Sequence, residues 1–200
     1  MPYSAEHKRQ TRTKITEAAR ILFNRHGFAD VTIDAVMQAA GLTRGGFYNH
    51  YSSKEALYAE AVSSFLHGRG AQWRAEAGVD PRNPTSDMTQ RMLKSYLSPE
   101  HLGDIDGQCP MIALPSDTAR QGAKVGIAYQ ELLEAMVSLF QTGFEERSKA
   151  NRDRALALAA MCVGGMVVAH ALPDGELSED VRAASYAMAL AIADGGNSPP

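Results

Sequence analysis

The segment from Thr32 to Lys54 constrains the fold more than any other part of the chain. Ile33, Val36, Met37 and Ala40 recur at helical spacing, and Gly41 can take the left-handed conformation that ends a helix. Thr43 can then cap a second helix whose first exposed side chain is Arg44. Two short helices joined by a glycine turn predict a helix-turn-helix, with the second helix presented by its N-terminus. Upstream, Ile15, Ala18, Ala19, Leu22 and Phe23 share one helical face, and Gly27 closes that helix, completing a three-helix head. Downstream, Ser52 and Glu55 have capping-box spacing, so a fourth helix is expected there, burying Leu57, Ala61 and Phe65. This helix is expected to run as one rigid rod from Lys54 past Phe65 to Trp73.

The remaining chain also reads as helices, and no alternating strand pattern competes. Asp80 to Pro84 is a loop, Met88, Met92 and Tyr96 mark a short helix that stops before Pro99, and a long loop is expected from Ser98 to Gln108. Leu133, Met136, Val137, Phe140 and Phe144 outline a long amphipathic helix. Ala155 to Leu172 is apolar almost all round, and Ser178 is expected to cap a last helix carrying Val181, Ala184, Ser185, Met188 and Ile192. The expectation is an all-α fold with a helix-turn-helix head at residues 1–55, a helical body at 56–194 and a disordered tail at 195–200.

Net charge is −3 overall, but residues 1–55 carry eight Lys and Arg against five Asp and Glu. A positive head on a negative body is what a nucleic-acid footprint confined to one end predicts. Two cysteines are too few for a disulfide framework, and the chain opens with no signal-peptide pattern, so a cytoplasmic protein is expected. The apolar run from Ala155 to Ala169 is shorter than the ~20 residues of a membrane span and reads as a buried helix.

Residue chemistry points the same way. Arg44 can present its guanidinium fork to a guanine edge, while Gly45 and Gly46 remove side chains where helix and duplex would approach. Asn49 could make amide contacts to adenine, or be a solvated or capping residue. Phosphate contacts are expected from Thr32, Thr43, Tyr48, His50 and Lys54. A cation at the start of a helix opposes the macrodipole, so Lys54 makes more sense if a phosphate joins it. The alternatives are half-buried packing for Tyr48 and an internal hydrogen bond for His50.

The ordered set Ala40-Gly41-Leu42-Thr43, Gly45, Phe47-Tyr48, His50-Tyr51, Ser53-Lys54-Glu55 and Leu57 resembles the N-terminal signature of the TetR/AcrR family of bacterial transcriptional regulators. The likeness extends back to Asn24-Arg25-His26-Gly27-Phe28 and covers roughly the first quarter of the chain. It implies a head fused to a helical ligand-sensing and dimerising body. The implied partners are a palindromic double-stranded DNA operator, a small-molecule effector and a second copy of the chain, with no membrane and no cofactor. Repression released by an apolar or aromatic effector is the expected mode.

In the body, Trp73, Met88, Met92, Tyr96, Met111, Tyr129, Met136, Phe140, Phe144 and Met166 offer deformable apolar surface and are candidates for an effector pocket, or are simply core. Cys109 sits at an expected loop-to-helix junction, where a helix dipole would favour a reactive thiolate, so redox or electrophile sensing is an alternative to a buried thiol. His101, Asp104, Asp106 and Cys109 match no zinc spacing, and no metal site is expected. No nucleophile–base–orienter set is visible, which argues against an enzyme. A helical interaction module without DNA binding is a remoter alternative. The apolar helix from Ala155, with Gly164 and Gly165, and the small stripe Ala184, Ala187 and Ala191 suggest an isologous four-helix dimer interface.

Overall fold

A computed structural model describes residues 4–195 except 145 and 147. Of the tail expected to be disordered, residues 196–200 lie outside the described residues. Among the described residues every regular element is helical. α1 (Ala5–Asp30), α2 (Ile33–Ala39) and a 3₁₀ segment (Arg44–Asn49) form the head. α3 (Lys54–His67) leads into α4 (Arg69–Glu76), α5 (Met88–Tyr96) and three short helices, α6 (Pro99–Gly103), α7 (Pro110–Ala113) and α8 (Pro115–Arg120). Three long helices close the body: α9 (Ala123–Gln141), α10 (Lys149–Ala171) and α11 (Glu176–Ala193).

The glycine turn forms as the sequence predicts. Gly41 has φ +72°, its N–H donates to Gln38 O at 2.9 Å, and the Leu42 N–H reaches Met37 O at 2.8 Å. This pair of bonds is a Schellman cap, which satisfies the last carbonyls of α2. Gly27 breaks α1 at φ +74°, and the freed Phe28 N–H donates to Asp117 Oδ2 at 2.7 Å, tying the end of α1 to α8. Phe23 and Phe28 then pack on Tyr58, with ring centroids 4.8 and 5.0 Å away.

Several boundaries differ from expectation. The fourth helix is capped by Ser53, whose hydroxyl accepts the Ala56 N–H at 3.1 Å, not by Ser52. It is no single rod: Gly68, at φ −99° and ψ −114°, separates α3 from α4, placing Phe65 and Trp73 on different helices. The loop expected from Ser98 to Gln108 contains α6, because Ser98 caps it and Pro99 occupies its first turn without needing an N–H donor. Phe144 lies beyond the end of α9. Ser178 does not cap α11, which starts two residues earlier after Gly175; its hydroxyl instead donates to Ala169 O at 2.9 Å, pinning α11 to α10.

α3 is the shared element, packing on α1 in the head and on α9 in the body. α10 lies between α9 and α11, burying Ala155, Leu158, Ala159, Cys162 and Met166. At 23 residues it is longer than the sequence run suggested, and by length and composition alone it could cross a membrane. A buried Gly165 lets it approach α11 closely, since a Cβ there would stand 2.3 Å from Ser185 Oγ.

Candidate nucleic-acid interface and body cavity

The segment expected as the second short helix is a 3₁₀ turn. Two consecutive glycines lower α-helical propensity, and its bonds run over three residues, from Gly46 N to Thr43 O and from His50 N to Phe47 O. Thr43 stands at its N-cap position, but its hydroxyl makes no capping bond. Phe47 is fully buried and anchors the turn, with Tyr51 stacked on it at 5.8 Å. Thr43, Arg44, Gly45, Tyr48 and Asn49 remain exposed, Tyr48 by 64% of its surface. Arg44 Nη1 pairs with Asp34 of α2 at 2.7 Å, an exposed ion pair that contributes little to stability.

Thr43, Gly46, Asn49 and His50 border one groove together with His7, Lys8 and Thr11 from the start of α1. His7, Lys8 and Thr11 were not singled out as site residues from the sequence; the basic cluster at residues 8–14 was the signal available. Burial, followed by the charges of Lys8, Arg12 and His7, lowers the pKa of His50. Thr32 caps α2 through a bond from the Ala35 N–H at 3.1 Å and does not border this groove. Lys54 does not either. Its ammonium lies 3.3 Å from Ala29 O and 4.3 Å from the centre of the Phe28 ring, so its place at a helix start has an internal explanation without a phosphate.

A second set of side chains fixes the turn from behind. Glu60 of α3 accepts hydrogen bonds from Arg12 Nε at 2.8 Å and from the Tyr51 hydroxyl at 2.9 Å. Arg12 also donates to His50 O. Thr16 completes the cluster by bonding Tyr51.

In the body, a cavity of about 240 Å³ lies among α3, α4, α5, α7 and α9. Trp73, Met92, Tyr96, Met111 and Met136 line it, as candidates from the sequence, whereas Met88, Tyr129, Phe140, Phe144 and Met166 do not. Arg74, His101 and Cys109 are among the lining residues that the apolar-stripe argument could not select. Cys109 is buried, and burial pushes its thiol up to about 11. The four-residue α7 offers little dipole to offset that desolvation, which favours the buried thiol over the reactive-thiolate alternative. Cys162 is pushed up to about 12 for the same reason. His101 is held neutral, with its pKa lowered to about 4 by burial; its Nδ1 bonds Tyr96 O at 2.8 Å and its Nε2 accepts the Cys109 N–H at 3.2 Å. Both ring nitrogens are thereby occupied, and no metal-binding group of His, Cys, Asp and Glu occurs among the described residues.

The pattern of the family described as bacterial regulatory proteins, tetR family, matches residues 15–61, from the core of α1 into α3. Over those residues the chain is similar to the DNA-binding head of the TetR family. An uncharacterized HTH-type transcriptional regulator of Bacillus subtilis, YdgC, is 30% identical over 84 residues, 42% of this chain and 43% of its own length. The HTH-type transcriptional regulator TtgR of Pseudomonas putida is 30% identical over 91 residues, 46% of this chain and 43% of that protein. These alignments thus span under half of either relative. Beyond the head the likeness is one of fold. The reduced form of E. coli NemR superposes with a TM-score of 0.72 at 15% identity, covering 90% of this chain and 95% of that one. A TetR-family transcriptional regulator from Cytophaga hutchinsonii gives 0.72 at 18% identity, covering 96% and 98%.

Proposed function

We propose that this chain is a dimeric, ligand-responsive DNA-binding transcriptional regulator of the TetR family, acting as a repressor. The observation that carries the reading is the exposed turn around Gly45 and Gly46. A Cβ at Gly45 would meet no protein atom within 4 Å, and one at Gly46 only Met37 Cε at 3.6 Å, so the protein itself does not require glycine at either place. Close approach of a duplex would. Arg44 is then the base-reading side chain and Thr43, Tyr48 and His50 hold phosphates, joined by the α2 cap at Thr32 and by Lys54 once its ammonium turns from Ala29 O to the duplex.

Dimerisation is supported by apolar surface that a single chain leaves uncovered. Leu156, Ala160, Gly164 and Val168 are exposed along one side of α10, and Ala184, Ala187 and Met188 along α11. Two such helices from each of two copies make an isologous four-helix bundle and present two heads to a palindrome.

Coupling cannot run along one straight helix, because Gly68 interrupts it. The α6–α7 segment offers another route. His101 and Cys109 form cavity wall, while Gln108 O accepts from Asn24 of α1 at 2.8 Å and Asp106 pairs with Arg25. A ligand that displaces this wall shifts α1, and with it the head.

The test is fluorescence anisotropy with DNA from around the protein's own coding region, across a salt series. Arg44→Ala costs about 1–3 kcal/mol on the preferred site and flattens preference at one base pair, whereas Lys54→Ala weakens all sequences alike and lowers the salt slope by about one. Equal losses on specific and random DNA for Arg44→Ala remove its reading role. No salt-dependent binding at all would sink the proposal.

A further inference from the structure

The cavity is walled mostly by carbon, and the charge on its wall is of one sign. Among the described residues no Asp or Glu borders it. Arg74 does, half-buried, with Nη2 donating to Leu66 O at 2.7 Å and, among the described residues, no carboxylate paired with it. The neighbouring Arg69 is the contrast: it is neutralised by Glu76 and Asp104, each at 3.1 Å. Burial lowers the pKa of Arg74, the signature of a cation that lacks a counter-charge. One further donor, the Trp73 Nε1–H, is buried without a hydrogen-bond partner, and the Tyr96 hydroxyl has only the Cys109 sulfur beside it. His101 offers no competing acceptor, since both its nitrogens are engaged.

A wall with an unpaired cation, an unsatisfied indole N–H and no acid is matched by an anion bearing hydrogen-bond acceptors. Size limits the rest. An apolar cavity of roughly 150 Å³ takes up benzene, so about 240 Å³ admits one ring with a side chain of a few carbons. We propose that the cavity binds a monoanionic carboxylate carried on one aromatic ring or a short alkyl chain, with its oxygens on Arg74 and the uncharged remainder among Phe65, Met92, Met136 and Leu139. The assignment rests on the effector-sensing reading above and names the effector's class.

Calorimetric titration of the full chain without DNA tests it, using 3-phenylpropanoate, octanoate and the uncharged 3-phenylpropanamide. At least one of the two acids is expected to bind about tenfold or more tightly than the amide, a charge-assisted contact being roughly twice as strong as a neutral one. Arg74→Gln should erase that preference, and Arg74→Lys should retain part of it. Far-UV circular dichroism and a thermal melt establish that each variant is folded. If Arg74→Gln does not fold, the wild-type acid-to-amide ratio and the Trp73→Phe variant, expected to weaken the preferred acid, decide alone. Equal binding of acid and amide, a preference that survives in folded Arg74→Gln, or no binding of either acid below about 1 mM overturns the proposal. With no DNA in the cell, such a failure leaves the DNA-binding reading standing. A protein that takes the acid but ignores every duplex overturns the other reading instead.

Discussion

Replacing Glu60 by alanine removes one carboxylate that serves Arg12, Tyr51 and Thr16 at once. The cost follows from how buried each partner is. Tyr51 is 3% exposed, and its bond to a charged acceptor contributes about 1.5–3 kcal/mol, reduced because its hydroxyl keeps Thr16 as a partner. The Arg12 and Glu60 side chains are 42% and 36% exposed, so solvent screening holds their ion pair to about 0.5–1 kcal/mol. Together Glu60→Ala should cost about 2–3 kcal/mol, or roughly 4–12 °C in Tm for a chain of this length. Glu60→Gln keeps an acceptor for Tyr51 and should cost about 1 kcal/mol. The pH dependence has a definite sign. Burial raises the Glu60 pKa, but the Arg12 and Tyr51 hydrogen bonds and the Arg12 charge outweigh it, leaving the folded value below the usual 4.5. A depressed carboxylate stabilises the fold above its unfolded pKa and loses that contribution as pH falls through the folded one. The gap between wild type and Glu60→Gln, read by urea denaturation at a series of pH values, should therefore be full at pH 7 and close below the ordinary glutamate range. A gap under about 0.5 kcal/mol at pH 7, or one that does not change down to strongly acidic pH, would refute the reasoning. Because Arg12 also holds His50 O, the alanine variant should bind DNA more weakly than its stability loss alone explains.

Three other outcomes are expected. Introducing charge at the uncovered face, as Val168→Glu with Met188→Glu, should shift the sedimenting species from dimer to monomer and abolish preference for a palindrome over one half-site; an unchanged dimer would remove the interface from α10 and α11. Asn24→Ala should leave ligand-free DNA affinity nearly intact while shrinking the ligand's effect on it from the typical 5–150-fold towards unity; a full response in the variant would mean the signal bypasses the α6–α7 segment. Cys109, protonated and buried, should react with a water-soluble maleimide far more slowly than free cysteine at pH 8, and Cys109→Ser should keep its response to ligand; rapid labelling would restore the thiol-sensor alternative.

How much was legible depended on whether a feature is written in consecutive residues. The glycine turn was, because Gly41 needs a positive φ that few other residues accept, and the helix faces of α1, α5 and α9 were, because periodicity records burial directly. The density of matching residues from Ala40 to Leu57 carried the family likeness. Helix ends were less readable: Ser52 and Ser53 are equally good caps in sequence, and only the path of the chain selects Ser53. The break at Gly68 was invisible too, since glycine within a helix is tolerated and this one has no positive φ to demand it. Tertiary structure alone decided which methionines and aromatics face space and which face each other. It also gave Lys54 partners from α1, chose burial over a helix-start environment for the Cys109 thiol, and left Arg74 at a cavity wall without an acid among the described residues. Each of these depends on residues distant in the chain, and a side chain's charge state and exposure are set by the dielectric and the neighbours that only packing supplies.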